Sequence, residues 1–309
     1  MADIQASNQR MTQVLNDLAT GEGTRSSILD GVKFMRSDRS LPRMPVLYEP
    51  SIVIVGQGRK RGYLGSEVYT YDPHNYLVIS VPMPFECETE VAPYGPLLAV
   101  SIHIDLAVLG ELLMKMDHKS LVVEGLDRHA MSSTPLDFGL SDATVRLLES
   151  LRSPIDAKIL GPQIVREIIY RVICGDRGNS LRALAAINGR FSQVQRVLAS
   201  MQINYAQALD VTTLAEDAGM SVSAFHHNFK AITETSPLQY LKTIRLHKAR
   251  ILMVQEGLGA GAAADRVGYE STSQFSREFK RFFGATPLEE TSRMRDMLGL
   301  NSSAIARIE

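Results

Sequence analysis

Residues Val267 to Pro287 read VGYESTSQFSREFKRFFGATP. Gly268 marks a tight turn, and a short helix follows in which Phe275, Phe279 and Phe282 recur at the i, i+4, i+7 spacing of one buried face. Thr272, Ser273, Ser276, Arg277 and Lys280 fall on the opposite, polar face. Ser271 is a good N-cap, and Gln274 three residues later completes an S-x-x-Q capping box. A second helix start follows at Thr286-Pro-Leu-Glu289, with an N-cap hydroxyl, a proline at the first helical position and a carboxylate three residues on. A short capped helix after a glycine turn, polar on one face, has the form of the second helix of a helix-turn-helix.

The stretch has a twin. Residues 219–239 line up with residues 268–289: Phe225 matches Phe275, Phe229-Lys230 matches Phe279-Lys280, and Ser236-Pro-Leu-Gln239 matches Thr286-Pro-Leu-Glu289, all offset by 50, whereas the turn glycines are offset by 49. Thr213 to Ala218 and Ala262 to Val267 are the matching first helices, and Gly257, Gly259 and Gly261 crowd the start of the later one, which is expected to fray. Between the units, Pro237 to Gln255 reads as one helix with Leu238, Leu241, Ile244, Leu246, Ile251 and Leu252 buried, leaving Lys242, Arg245, Lys248 and Arg250 for water or phosphate. At about 1.5 Å per residue this strut spans roughly 27 Å, so two helices held by it suit successive major grooves about 34 Å apart.

Upstream the pattern is different. From Thr24 to His103 short β-type runs alternate with Gly, Pro and Asp: Ser51–Val55, Tyr63–Leu64 and Glu67–Tyr71 about Gly65, Tyr76–Val81, and Leu97–His103. Such spacing predicts an antiparallel sandwich or small barrel whose interior can hold one small ligand. Helical periodicity takes over from Asp105 to Cys174, in candidate helices Leu106–Met116, Ser141–Leu151 and one beginning at Pro162. In the last, Ile164, Val165, Ile168, Ile169 and Val172 form a stripe wide enough for either domain packing or self-association. The expected organisation is α+β: a flexible segment 1–23, a β-barrel with helices over 24–175, a linker 176–190, an all-α domain 191–297 with two helix-turn-helix units joined by the long helix, and a tail 298–309.

Bulk properties exclude more than they assign. At 309 residues about two domains are expected. Cys87 and Cys174 are too few for a disulfide framework, no charged-then-apolar leader opens the chain, and no run approaches the roughly 18 apolar residues of a spanning helix, so a cytoplasmic, non-membrane protein is expected. Net charge is -1; residues 191–309 hold 13 Lys and Arg against 12 Asp and Glu. That is a weak electrostatic footprint for a nucleic-acid partner, and it disfavours a protein that merely coats DNA.

The tandem unit, its Pro-Leu signatures and above all VGYES-x-SQFSREFKRFFG resemble the AraC/XylS family of bacterial transcription regulators. Glu49-Pro-Ser-Ile-Val-Ile-Val-Gly-Gln-Gly-Arg-Lys-Arg61 and Tyr76-Leu-Val-Ile-Ser80 resemble the N-terminal domain of one subgroup. The resemblance implies a cupin-like barrel that responds to an effector and often dimerises, followed by a seven-helix DNA-binding domain. Its base-reading positions fall on Ser223, His226 and His227 in the first unit and on Thr272, Ser273, Ser276 and Arg277 in the second, with Lys230, Lys280 and Arg281 toward phosphates. The histidines depart from the commoner Arg or Gln and predict a weaker or pH-dependent first reader. Double-stranded DNA, a second copy of the chain and a small-molecule effector are the implied partners, and RNA polymerase is a candidate one.

A cupin-like barrel also admits a metal-dependent enzyme, but His74 in a turn and His103 alone lack the H-x-H pair and converging carboxylate such a site needs. No metal, cofactor or catalytic residue is therefore expected. Cys87 alternates with Phe85 on one strand face while Glu86 and Glu88 point the other way. Inside a ligand chamber the thiol would meet electrophiles or oxidants, yet no cation adjoins it in sequence, so the reading favours a buried, structural cysteine. Tyr63, Tyr69, Tyr71, Tyr76 and Phe85 are candidate pocket walls on the same reasoning, or ordinary core.

Overall fold

Alternating burial along the chain separates the strands into two sheets. The computed structural model describes residues 2–93, 95–116, 130–175, 181–182 and 190–297. Its strands are β1 (Gly23–Ser26), β2 (Val32–Ser37), β3 (Leu41–Tyr48), β4 (Ser51–Gln57), β5 (Arg59–Leu64), β6 (Glu67–Tyr71), β7 (Asn75–Ile79), β8 (Met83–Glu90), β9 (Leu97–His103) and β10 (Met131–Pro135). One sheet has the order β1-β2-β9-β4-β7-β10 and the other β3-β8-β5-β6, all pairs antiparallel. Of the expected sandwich or small barrel, the strands form an open two-sheet sandwich. Pro42 and Pro45 give β3 too few amide donors to pair on both sides, so it stays an edge strand bonded to β8 alone, with a register shift between Leu41 and Met44.

The six-stranded sheet is covered on both faces. Its central strands β4 and β9 are consequently buried at nearly every position, while β8 of the outer sheet alternates Met83, Phe85, Cys87 and Thr89 inward with Pro84, Glu86 and Glu88 outward. The helical cover comprises α1 (Ala2–Leu18), α2 (Leu106–Lys115), α3 (Phe138–Ser150), α4 (Pro154–Ile159) and α5 (Gly161–Cys174). Two expectations change here. The N-terminal segment is not loose: Met11, Val14 and Leu15 form a stripe buried against α3, β4 and β9, and Thr12 Oγ1 donates to Gly56 O at 2.7 Å. The α5 stripe is not an open dimer face, because Ile164, Ile168, Ile169 and Val172 are buried and Val165 is partly buried where α5 packs on α2, α3 and α4.

The expected linker 176–190 lies mostly outside the described residues, as does the tail 298–309. The second domain contains α6 (Arg190–Ile203), α7 (Val211–Asp217), α8 (Val222–Thr233), α9 (Pro237–Gln255), α10 (Ala260–Arg266), α11 (Thr272–Phe283) and α12 (Pro287–Met297). Only Gly261 of the three crowded glycines lies inside α10, and Ala263 and Ala264 anchor that helix in the core, so its expected fraying has less cause than the glycine count implied. Along the strut α9, Tyr240, Leu241, Ile244 and Leu246 are buried, whereas Leu238 and Ile251, expected inside, are exposed.

Candidate nucleic-acid interface

Each reading unit is built on a turn that demands glycine. Gly219 and Gly268 adopt φ of 64° and 86°, in the left-handed region where a side chain is strained. At Gly268 a Cβ would also lie 2.1 Å from Ala206 O, so backbone contact excludes any other residue. The recognition helices then start alike. Ser221 Oγ accepts from Ala224 N and Ser271 Oγ from Gln274 N, both at 3.3 Å. The expected second half of the box at Ser271 is missing, because Gln274 Nε2 donates to Glu278 Oε1 at 3.2 Å instead; the reciprocal box closes at Thr286 and Glu289.

Burial fixes which face each helix presents. Phe225 and Phe229 in α8, and Phe275 and Phe279 in α11, are fully buried, each pair with ring centroids 5.4 Å apart. The third buried ring of α11 is Phe283 rather than Phe282, which instead packs half-exposed with its ring 5.4 Å from that of His247. On the outer side, Ser223, His226, His227 and Lys230 are exposed, as are Thr272, Ser273, Arg277, Lys280 and Arg281, with Ser276 half-buried. The structure thus gathers the expected readers on two outward faces. It adds Val222 and Gln274, exposed at the same ends, of which Gln274 reads from sequence as a capping residue; Asn228 is excluded, since its Nδ2 is committed to Ala224 O at 2.7 Å.

Three of the four strut cations are committed within the protein. Lys242 Nζ bonds Glu278 at 2.9 Å, Arg245 donates to Tyr205 O and Gln207 O at 2.7 and 2.8 Å, and Lys248 lies over the Tyr205 ring. Arg250 reaches both Glu290 and Pro45 O at 3.1 Å. Burial works against the Glu278 charge, but donors from Lys242, Gln274 and Tyr269 outweigh it and hold that carboxyl below its usual range, tying α11 to the strut. His247 is buried with Nε2 unpartnered; burial, with Arg250 adding, pushes it well below the usual histidine value, so it sits neutral.

The sensor-domain residues divide. Tyr71 and Cys87 meet inside the sandwich, with Tyr71 Oη 3.3 Å from Cys87 Sγ; Phe85 shares that inward face, and Tyr69 shares Tyr71's side of β6, half-buried. Tyr63 is outside, donating to Glu88 at 2.7 Å beneath Arg43. Tyr76 belongs to the six-stranded sheet, its hydroxyl 3.5 Å from where Gly175 would carry a Cβ at the end of α5. Neither of these two joins the Cys87 group. Sequence reading missed Lys60, whose strand position pairs with both Tyr71 and Thr89 and whose Nζ donates to Thr89 Oγ1 at 2.8 Å. Among the described residues no group of three or more His, Cys, Asp or Glu side chains is placed to hold a metal.

The two domains also touch. Tyr240 Oη donates to Pro82 O at 2.6 Å, and an open cleft of about 260 Å³ lies between β5, β8 and the second domain, lined among others by Tyr63, Phe85, Glu234 and Phe282.

Comparison with known proteins agrees with this architecture. Residues 28–180 match the family described as the AraC-type transcriptional regulator N-terminus, and residues 214–293 match a helix-turn-helix domain. The RCS-specific HTH-type transcriptional activator RclR of Escherichia coli is 38% identical over 90 residues, 29% of this chain and 32% of that protein. The HTH-type transcriptional regulator AlkR of Acinetobacter baylyi is 30% identical over 210 residues, 65% of each. The chain thus spans about one third to two thirds of the length of these curated relatives. Among solved structures, an apo ToxT variant from Vibrio cholerae superposes with a TM-score of 0.59 at 11% identity, over 90% of this chain and 100% of that one, a likeness of fold.

Proposed function

Because the chain belongs to the AraC/XylS family of transcription regulators, we propose that it binds DNA sequence-specifically and that its N-terminal domain answers a small-molecule or redox signal. The observation that carries this reading is the matched pair α8 and α11: equal in length, capped alike, burying the same two phenylalanines and turning polar side chains outward from one strut. In this reading Arg277 contacts guanine through its fork, and Thr272, Ser273, Gln274 and Ser276 reach neighbouring base edges. Ser223, His226 and His227 read the other groove, with Val222 against a thymine methyl. Lys230, Lys280 and Arg281 hold phosphates and set the register.

A second copy of the chain belongs to the reading, since a half so weakly positive gains from doubling its contacts. Its contact surface moves from α5 to α4, where Ile155 and Ile159 share a face with 70% and 62% exposure, beside Leu160 at 48%. RNA polymerase is the machinery on which a DNA-bound regulator of this kind acts, and the cytoplasm is where it works; no helix among the described residues is long and apolar enough to cross a membrane. Selection of duplexes from a random pool, followed by salt titration, tests the reading. It expects a two-block motif bound far more tightly than random DNA at equal salt. Enrichment of no sequence, with equal salt slopes for selected and random duplexes, would support an architectural binder instead.

A further inference from the structure

The cleft between the two domains combines features that docking one domain on the other does not call for. Its walls are apolar, with Leu64, Pro84 and Phe85 of the outer sheet on one side and Phe282 of α11 on the other. Thr243 lines it from the strut at 7% exposure, and among the described residues nothing bonds its hydroxyl. A buried hydroxyl without a protein partner is left for whatever fills the cleft. Glu234 is in the same condition. It lines the cleft with Oε2 3.5 Å from where Gly65 in the β5–β6 turn would carry a Cβ, and among the described residues no cation or donor engages its carboxylate. Glu86, the other carboxylate there, is already held by Arg43.

Glu234 also stands where a side chain is strained. It ends α8 with φ of 59°, whereas the matching residue of α11 is Gly284 with φ of 77°. The first unit thus carries an unpaired carboxylate where the second has no side chain, and that carboxylate lines the cleft. Its place at the C-terminal end of α8 adds the negative end of the helix dipole.

We propose that this cleft is the effector site and that it takes a small organic cation, an ammonium group on an apolar or aromatic body. This deepens the regulator reading above, on which it rests, by naming the ligand class and placing the site between the domains. The ammonium pairs with Glu234 at the α8 C-terminus, where carboxylate and dipole both favour positive charge; an anionic ligand meets repulsion from the same two groups. The body lies between Phe85 and Phe282, rings that suit apolar carbon and a nearby cation alike. Thr243 supplies a hydrogen bond at the strut. A volume of about 260 Å³ is at the small end for ligand sites and fits a molecule built on a single ring.

Occupancy bears directly on a reading helix. The ligand would touch β5 and β8 on one side and the end of α8, the strut and α11 on the other, so it binds the docked arrangement of the domains. Binding favours that arrangement and fixes α8 against the sensor, which changes how readily α8 and α11 meet one duplex together.

The test uses the full-length chain, calorimetric titration with three probes sharing one ring (phenethylamine, phenethyl alcohol and phenylacetate), and affinity for a selected duplex with and without the amine at fixed salt. Saturable binding of the amine is expected, tighter than that of the alcohol, with phenylacetate weakest. Glu234→Gln, which keeps the size of the side chain, should weaken the amine about fivefold and leave the alcohol unchanged. Thr243→Val should weaken both, and saturating amine should shift duplex affinity in the unaltered chain. No saturable binding of the amine, equal binding of amine and phenylacetate, or an amine affinity unaffected by Glu234→Gln overturns the site. Amine binding that leaves duplex affinity unchanged overturns its role as an effector site. Failure of the ligand-free chain to bind any duplex would count against the regulator reading instead, with the titration standing on its own.

Discussion

The two reading units share a sequence pattern and differ in what lies behind them. The second has its own core: Phe275, Phe279 and Phe283 pack with Tyr269, Val267, Ala263, Ala264 and the far half of the strut in a cluster distinct from the main core, although α11 also meets β3 and Arg250 links Glu290 to Pro45 O. The first has none of its own. Phe225, Phe229, Tyr240 and Ile244 belong to one continuous cluster with the sensor sandwich, and Tyr240 is bonded to it. Repetition of a motif therefore fixes helix geometry but not what lies behind it: the first unit shares its core with the sensor, while the second packs mainly on the strut, held by Glu278, and meets the sensor at β3 and through Arg250.

The largest test of this contrast is a pair of core truncations. Phe279→Ala and Phe229→Ala each remove a fully buried ring, costing about 3 to 5 kcal/mol. By calorimetry the first is expected to lower a transition belonging to the second unit alone and the second to lower sensor unfolding as well. Equal effects on one shared transition would erase the distinction. Tyr240→Phe leaves the Pro82 carbonyl without its donor, a loss of about 1 to 3 kcal/mol, and is expected to split a coupled melt into two.

A pH titration probes the strut. His247 has a folded pKa pushed below its unfolded value by burial and by Arg250, so the unfolded chain binds the proton more readily. Its contribution is fully present above the ordinary histidine value and is lost as pH falls below it, at up to about 1.4 kcal/mol per pH unit. His247→Leu should flatten the slope of thermal stability between neutral and mildly acidic pH, and an unchanged slope would assign that dependence elsewhere. The smallest effect concerns the caps. Glu234 ends α8 with φ of 59°, where the matching residue of α11 is Gly284 with φ of 77°. Glu234→Gly should stabilise the first unit by about 0.5 to 1 kcal/mol in thermal unfolding; a loss would mean that the position of Glu234, its Oε2 3.5 Å from where a Cβ at Gly65 would sit, outweighs the strain.

How much of this was legible in the sequence follows from the range of each interaction. The repeat, the turn glycines and the polar faces of α8 and α11 are local patterns and were read correctly, as was the α+β class. Phe282 and Phe283 are adjacent, and a spacing of seven or eight residues from Phe275 fits a helical face equally well, so only packing against Arg250 and Phe279 decides between them. Lys60 escaped because its relation to Cys87 depends on cross-strand register, which short strands joined by irregular turns do not encode locally. The α5 stripe was apolar for its own domain, and periodicity does not say whose neighbour covers it. Tyr63 and Tyr76 were grouped with Tyr71 by composition, whereas the pleat and the division into two sheets send all three to different places.

The central claim is that the chain reads DNA through two unequal helices, of which α11 contributes most. Its most direct test is the affinity of Arg277→Ala and of the double change His226→Ala, His227→Ala for one selected duplex and for its single-base variants, at fixed salt. Arg277→Ala is expected to cost about 1 to 3 kcal/mol and to relax preference at one base pair, with the histidine pair costing less. Unchanged affinity and unchanged base preference in Arg277→Ala would contradict the account.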